Sequence, residues 1–140
     1  MASALRWLSV VPLSAAVAIL VMFPWHFTLV ALELFGPTEI IKGIGAENIE
    51  RLGYAFFSPF FVITIAPKIA PSHKGHVSRI TCLSTVILIA GIYIFGPSDY
   101  FLDYMRYSSG WEKSYPFFAM ALNTLAIYLG YQYNKSHGYT

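Results

Sequence analysis

The chain has 140 residues, of which 56% are hydrophobic and only 11% are charged, and its mean hydropathy is +0.57. A soluble domain of this length needs more surface charge to stay dispersed, so we expect one integral membrane domain over residues 1–140, covered largely by the lipid bilayer. The net charge of +2 predicts no nucleic-acid partner, because proteins that bind nucleic acid concentrate Lys and Arg on one face.

The first predicted span covers residues 7–33. A cleaved signal peptide is the alternative, but its apolar region is about 7 to 15 residues long, and here apolar sequence continues well beyond Ala18. A helix over this span is roughly 40 Å long at about 1.5 Å per residue, which exceeds the roughly 30 Å of hydrocarbon. We therefore expect it to tilt, protrude, or kink at Pro12 or Pro24. Four small residues form a patch where another helix can approach: Ser14, Ala15, Ala16 and Ala18.

An outer segment and two further spans follow. Gly36-Pro37 ends the first helix, residues 36–51 are expected to form a loop on the non-cytoplasmic side of the membrane, and the next spans cover residues 52–70 and 77–95. Pro59 and Pro67 fall inside the second span, where neighbouring helices must satisfy the carbonyls that they free. Cys82 is the one cysteine, so no intramolecular disulfide is expected, and in the third span it is interpreted as a small buried side chain.

The short connection between the second and third spans sets the predicted orientation. It contains Lys68, Lys74 and Arg79 and no acidic residue, and such loops stay on the cytoplasmic side. Both termini are then cytoplasmic, and all seven acidic residues lie on the outer side or at its interface. This pattern predicts a multi-pass protein of the bacterial inner membrane. His73 and His76 in this connection are explained by contact with anionic headgroups rather than by a metal.

The second outer loop predicts a short amphipathic helix in the outer interface. Ser98 is a plausible N-cap. In a helix that starts there, polar residues fall on one side and aromatic residues on the other. Aromatic rings are enriched at headgroup depth, so the segment is interpreted as an anchoring belt or, alternatively, as a surface that docks a partner. The residues of this outer interfacial surface are Tyr100, Phe101, Tyr104 and Trp111.

The fourth predicted span, residues 116–133, carries the strongest internal pattern. Ala119, Asn123, Ala126 and Gly130 recur at spacings of four, three and four, so they share one helix face. An amide at this depth needs a partner, and we expect Asn123 to face the interior and pair with a hydroxyl or carbonyl of another helix. The face is a packing surface or part of a solute or ion pathway. Further candidates for such a pathway are Thr124, Ser84, Thr85 and Thr64.

His26 is the one histidine inside a predicted span, and Glu33 lies seven residues later on the same face. An ionisable group at this depth suggests a functional site by default. A metal site needs three or four ligands, and the sequence indicates no others nearby, so neither a metal nor another cofactor is predicted. No nucleophile, phosphate-loop or zinc-protease motif is found, and no catalytic residue is predicted.

The sequence thus predicts an all-α membrane protein, a bundle of four transmembrane helices. This topology resembles that of the four-span immunity proteins that protect bacteria from pore-forming toxins, and the likeness rests on topology alone. The predicted spans contain few polar residues at mid-membrane depth, no intramembrane acid and no deep basic residue. We therefore expect a non-enzymatic accessory subunit or immunity-type protein that contacts another membrane protein, or a second copy of itself, through helix faces and outer loops. The alternative is a small-solute transporter or channel that acts as an oligomer.

Overall fold

The computed structural model describes residues 2–35, 46–95 and 114–139, and these residues form four helices. Helix α1 is Ala2–Phe35, α2 is Ala46–Ile69, α3 is Lys74–Phe95 and α4 is Tyr115–Ser136. The all-helical prediction is confirmed for this part of the chain. The predicted interfacial helix and its surface residues Tyr100, Phe101, Tyr104 and Trp111 lie outside the described residues.

Three of these helices, α1, α2 and α3, are long and apolar enough to cross a membrane, as predicted. Helix α4 has the same length as α3, 22 residues, but it is less apolar. Asn123, Gln132 and four tyrosines interrupt its apolar sequence. The membrane character of the protein therefore rests on the first three helices.

The observed helices are longer than the predicted spans. Helix α1 extends beyond 7–33 at both ends, whereas α3 and α4 begin and end within three residues of their predicted limits. The prediction of a loop up to residue 51 was wrong, because α2 begins at Ala46 and includes Glu50 and Arg51. Residues 46–51 contain no Gly or Pro that would interrupt a helix. Carboxylates near a helix N-terminus also interact favourably with the helix dipole.

Helix α2 lies at the centre of the fold. It packs against α1, α3 and α4; α3 also packs against α4, whereas α1 packs mainly on α2. Helix α1 runs antiparallel to α2, since Val10 lies near Ala70 at one end and Trp25 lies against Gly53 nearer the other. Helix α4 runs parallel to α2. The arrangement is therefore a set of helices around α2 rather than a closed ring of four.

The residues that contact other helices form narrow stripes on α1 and α3. On α1, the buried positions are Val10, Ser14, Ala18 and Leu29, so half of the predicted small-residue patch is packed while Ala15 and Ala16 are exposed. Large apolar side chains on the remaining surface of both helices are exposed. They include Leu8, Leu20 and Phe27 on α1 and Leu83, Ile87 and Ile92 on α3. These faces are available to lipid or to another membrane protein.

Candidate functional sites at the two ends of α2

The first polar site lies near the end of the protein where residues 70–73 join α2 to α3, which we call the connection end. In a helix, the N–H of residue 67 would bond the Ile63 carbonyl, but Pro67 has no N–H. The freed carbonyl instead accepts a hydrogen bond of 2.9 Å from Asn134 Nδ2 of α4. The same amide nitrogen donates to Ser78 Oγ of α3 at 3.0 Å. Asn134 therefore joins α4 to both α2 and α3, and we call these four residues the polar junction.

The polar junction is completely buried. Ile63, Pro67, Ser78 and Asn134 are the largest fully buried side chains in the described part of the molecule. The Asn134 Oδ1 atom is buried and has no hydrogen-bond partner among the described residues. Turning the amide over would place this oxygen against the Ile63 carbonyl, where two acceptors would face each other. The Ile63 carbonyl thus fixes the orientation of the amide and leaves one acceptor unused.

Asn134 was not among the residues singled out from the sequence. It continues the small-residue face of α4 that the sequence did predict. Ala119, Ala126 and Gly130 on this face are buried, as is Asn134 four residues further on. Gly130 packs closely on α2, because a Cβ at this position would lie 3.1 Å from Ile63 Cγ2. Small residues along α4 allow this close approach.

Asn123 lies on the same face of α4 and is half-buried. Its side chain hydrogen-bonds Tyr93 of α3. The contact links α4 to α3 well away from the polar junction. The part in a solute or ion pathway that the sequence suggests for Asn123 stays a prediction.

The structure does not bring the other pathway candidates together. Thr64 and Thr85 are buried, whereas Ser84 and Thr124 are exposed. Each of the three threonine hydroxyls donates to the carbonyl four positions earlier in its own helix, at 2.8 to 2.9 Å. These hydroxyls are therefore satisfied locally and do not form one polar line through the described helices.

The second polar site lies at the opposite end of α2, where α1 packs against its first turns. His26 Nδ1 lies 2.8 Å from Glu50 Oε1, and the Tyr54 hydroxyl donates to the same oxygen. Because a carboxylate only accepts, the hydrogen resides on Nδ1 of His26. Trp25 Nε1 donates to the Glu50 backbone carbonyl at 3.3 Å. We call Trp25, His26, Glu50 and Tyr54 the opposite-end cluster.

A glycine sets the position of the opposite-end cluster. The Trp25 indole occupies the space where a Cβ of Gly53 would lie, so a larger residue would overlap it. The indole also packs edge-on against Phe57, with 5.4 Å between ring centroids. This fit fixes α1 against α2. His26 consequently meets Glu50, while Glu33, two turns further along the same face of α1, is exposed near the end of this helix.

The contact between His26 and Glu50 is expected to contribute little to stability. The side chains of His26 and Glu50 are 50% and 24% exposed, so water screens their interaction. We predict that His26→Ala lowers the free energy of unfolding by less than about 1 kcal/mol. Reversible unfolding in mixed detergent micelles, followed by circular dichroism, measures this change. A loss above about 2 kcal/mol would show that the pair stabilises the α1–α2 contact in its own right.

A group of aromatic side chains covers the connection end. Tyr139 N–H donates to the Asn134 carbonyl at 2.8 Å and Gly138 N–H to the Lys135 carbonyl at 3.1 Å, with Gly138 at a φ of 71°. This is a Schellman motif, and its left-handed residue favours glycine. This motif turns residues 138 and 139 back toward the last turn of α4. There the His137 ring stacks on Tyr133 with 4.1 Å between centroids.

Both polar sites hold helices together through hydrogen bonds. In the described ranges, no group of three or more His, Cys, Asp and Glu side chains could hold a metal ion. His73 and His76 are exposed, with their rings edge-on and 6.1 Å apart.

Comparison of the chain with models of known families, with curated proteins and with solved structures finds no match.

Proposed function

We propose that this chain is a four-span membrane protein without catalytic activity, an accessory subunit or immunity-type protein that binds another membrane protein. Its contacts are made through exposed helix faces and outer loops. Both termini lie in the cytoplasm of a bacterial cell, and the chain crosses the inner membrane. The alternative is an oligomeric transporter or channel for a small solute.

The packing of α4 supports a fourth span. Buried positions run along the whole of this helix, from Pro116 near its start to Asn134 near its end. Helix α4 lies parallel to α2, which is long and apolar enough to cross a membrane. A helix that accompanies α2 over this length crosses the same bilayer. Contact with α2 and α3 shields its polar residues Asn123 and Asn134.

The distribution of charge supports the cytoplasmic placement of the connection end. Lys68, Lys74, Arg79 and Lys135 lie at this end, and the sequence has no acidic residue in 51–98 or 113–140. The carboxylates of Glu33 and Glu50 lie at the other end of their helices. Lys and Arg in short loops favour the cytoplasmic side.

The observation that carries the proposed interaction is the open face of α3. Ser84 is exposed, and at Gly91, seven residues later, no atom other than its chain neighbours and the nearby backbone of α3 lies within 4 Å of where a Cβ would be. Ile87 and Leu88 between them are also exposed. A hydroxyl and a glycine on one membrane face allow another helix to approach closely and to form an interhelical hydrogen bond. We infer that a partner helix packs on this face, which we call the open α3 face.

Photo-crosslinking in intact cells tests this proposal. A photoreactive phenylalanine analogue replaces Ile87 on the open α3 face, and the matched control replaces Leu20 of α1, since these side chains are 61% and 63% exposed. We expect a discrete adduct with another membrane protein from position 87 and none from position 20. An adduct with the mass of a dimer of this chain would favour the oligomeric alternative. The absence of any protein adduct from position 87 would contradict both.

A further inference from the structure

We propose that the connection end holds a site for the phosphate headgroup of an anionic phospholipid. The site includes Lys68 in the last turn of α2 and Lys74 in the first turn of α3. Aromatic side chains at the end of α4 connect the two. The inference rests on the membrane placement of the helices and does not depend on the identity of a protein partner.

A continuous series of contacts runs from one lysine to the other. Lys68 Nζ donates to the Tyr133 hydroxyl at 2.8 Å, and the Tyr133 ring stacks on His137. His137 in turn faces Tyr139 with 6.4 Å between ring centroids. Lys74 Nζ lies 5.2 Å from the centre of the Tyr139 ring. We call these five residues the lysine–aromatic arc.

The arc carries positive charge that the described part of the protein does not neutralise. Neither Lys68 nor Lys74 forms an ion pair with a carboxylate in the described ranges, and the flanking sequence 51–98 and 113–140 contains no Asp or Glu. An ammonium group has three N–H donors, and Lys68 uses one of them on a neutral hydroxyl. Arg79 and Lys135 at the same end add to the positive potential. A phosphate group supplies the missing negative charge and acceptor oxygens.

The position of the arc points to a lipid as the source of the phosphate. It lies where α2 ends and α3 begins, and both helices are long and apolar enough to cross a membrane. The ends of such helices lie at headgroup depth, where tyrosine rings and snorkelling lysines are favoured. Basic groups between helix ends on the cytoplasmic side bind anionic headgroups.

A comparison of two double variants with equal loss of charge tests the site. The full-length protein in neutral detergent is titrated with phosphatidylglycerol, and native mass spectrometry counts the bound lipids. A diffuse attraction is worth about fivefold in affinity per surface lysine, whichever lysine is removed. For two basic residues it predicts a loss of about 25-fold, the same for either pair. A built site predicts that Lys68→Gln with Lys74→Gln weakens binding at least about tenfold more than Arg79→Gln with Lys135→Gln does.

Rescue and competition complete the test. Lys68→Arg with Lys74→Arg keeps both charges and is expected to bind the lipid within about threefold of the natural chain, which shows that positive charge at these two positions is what the lipid requires. Phosphatidylcholine, which has no net charge, is expected to bind no more tightly to the natural chain than to the double glutamine variant. Equal losses in the two glutamine pairs would overturn the site. Displacement of the lipid by inorganic phosphate at the same concentration would assign the arc to free phosphate and overturn the lipid assignment.

Discussion

Replacing Asn134 with leucine is expected to lower the free energy of unfolding by about 1–3 kcal/mol, the cost of a buried acceptor left without a donor. The Ile63 carbonyl is that acceptor, because Pro67 cannot donate to it and Asn134 Nδ2 does. Leucine has a similar volume, so the loss of the hydrogen bonds outweighs any change in packing. Reversible unfolding in mixed detergent micelles measures the difference.

A double-mutant cycle separates the hydrogen bond from the rest of the substitution. Pro67→Ala returns an N–H to position 67, which can bond the Ile63 carbonyl within α2. We therefore expect Asn134→Leu to cost less in the Pro67→Ala background than in the natural chain. Additive effects of the two substitutions would show that the freed carbonyl is not what Asn134 satisfies.

Asn123→Leu is the matched control on the same face of α4. Asn123 is half-buried and contacts the side chain of Tyr93, so its loss leaves no buried backbone carbonyl without a donor. We expect a cost of about 0.6 kcal/mol, typical of one interhelical bond in a membrane protein. Equal costs at positions 123 and 134 would contradict the special role of the polar junction. No change at all at position 123 would remove the packing role predicted for Asn123.

Alanine at Gly53 is expected to lower the free energy of unfolding by about 1–3 kcal/mol, the usual cost of adding a methyl group to a tightly packed contact. The added Cβ would overlap the Trp25 indole, and either the ring or the whole of α1 must move. Movement of α1 also breaks the contacts of the opposite-end cluster. Trp25→Ala removes the indole that the added methyl would overlap, so we expect Gly53→Ala to cost less in the Trp25→Ala background than in the natural chain.

Two other glycines provide graded controls for this effect. At Gly130 the added methyl would lie 3.1 Å from Ile63 Cγ2, a tight contact that a small shift relieves, so a smaller loss is expected. At Gly91 no atom lies within 4 Å, and alanine is expected to be neutral or to stabilise the helix by up to about 1 kcal/mol. The expected order of destabilisation is Gly53, then Gly130, then Gly91. A loss at Gly91 equal to that at Gly53 would contradict the account.

Long apolar runs were enough to predict the helices. Each predicted span corresponds to an observed helix, because a helix of about 20 apolar residues satisfies its own backbone whatever surrounds it. The small residues of α4 also predicted which of its faces is buried, since helical periodicity places Ala119, Ala126 and Gly130 together. The limits of α2 were less predictable, because hydropathy alone does not show that a helix continues through Glu50 and Arg51.

The polar junction was not predicted, because hydropathy alone set the end of the fourth span. Hydropathy ended the fourth span at Tyr133, so Asn134 was assigned to the segment beyond the membrane. Two signals point to it: Asn134 continues the buried face of α4 by one further turn, and Pro67 leaves the Ile63 carbonyl in need of a donor. Neither signal says which polar residue meets which carbonyl, because that depends on the register between α2 and α4.

The opposite-end cluster shows the same limit. His26 was correctly placed on a helix, but its partner Glu50 follows 24 residues later and was assigned to a loop. Periodicity predicts the face of a helix, whereas the register between two helices depends on how particular side chains fit. Here the indole of Trp25 seated on Gly53 sets that register. The sequence alone does not indicate this pairing.

Disulfide formation between α2 and α4 tests the central claim that α4 accompanies α2 across the membrane. The natural cysteine is removed by Cys82→Ala, and Ile63→Cys is combined with Gly130→Cys. A Cβ at Gly130 would lie 3.3 Å from the Ile63 Cβ, close to the 3.5–4.5 Å typical of disulfides. Mild oxidation in native membranes is expected to link this pair rapidly and to leave Ile63→Cys with Gly91→Cys unlinked. Equal linking of both pairs, or no linking of the first, would contradict the account.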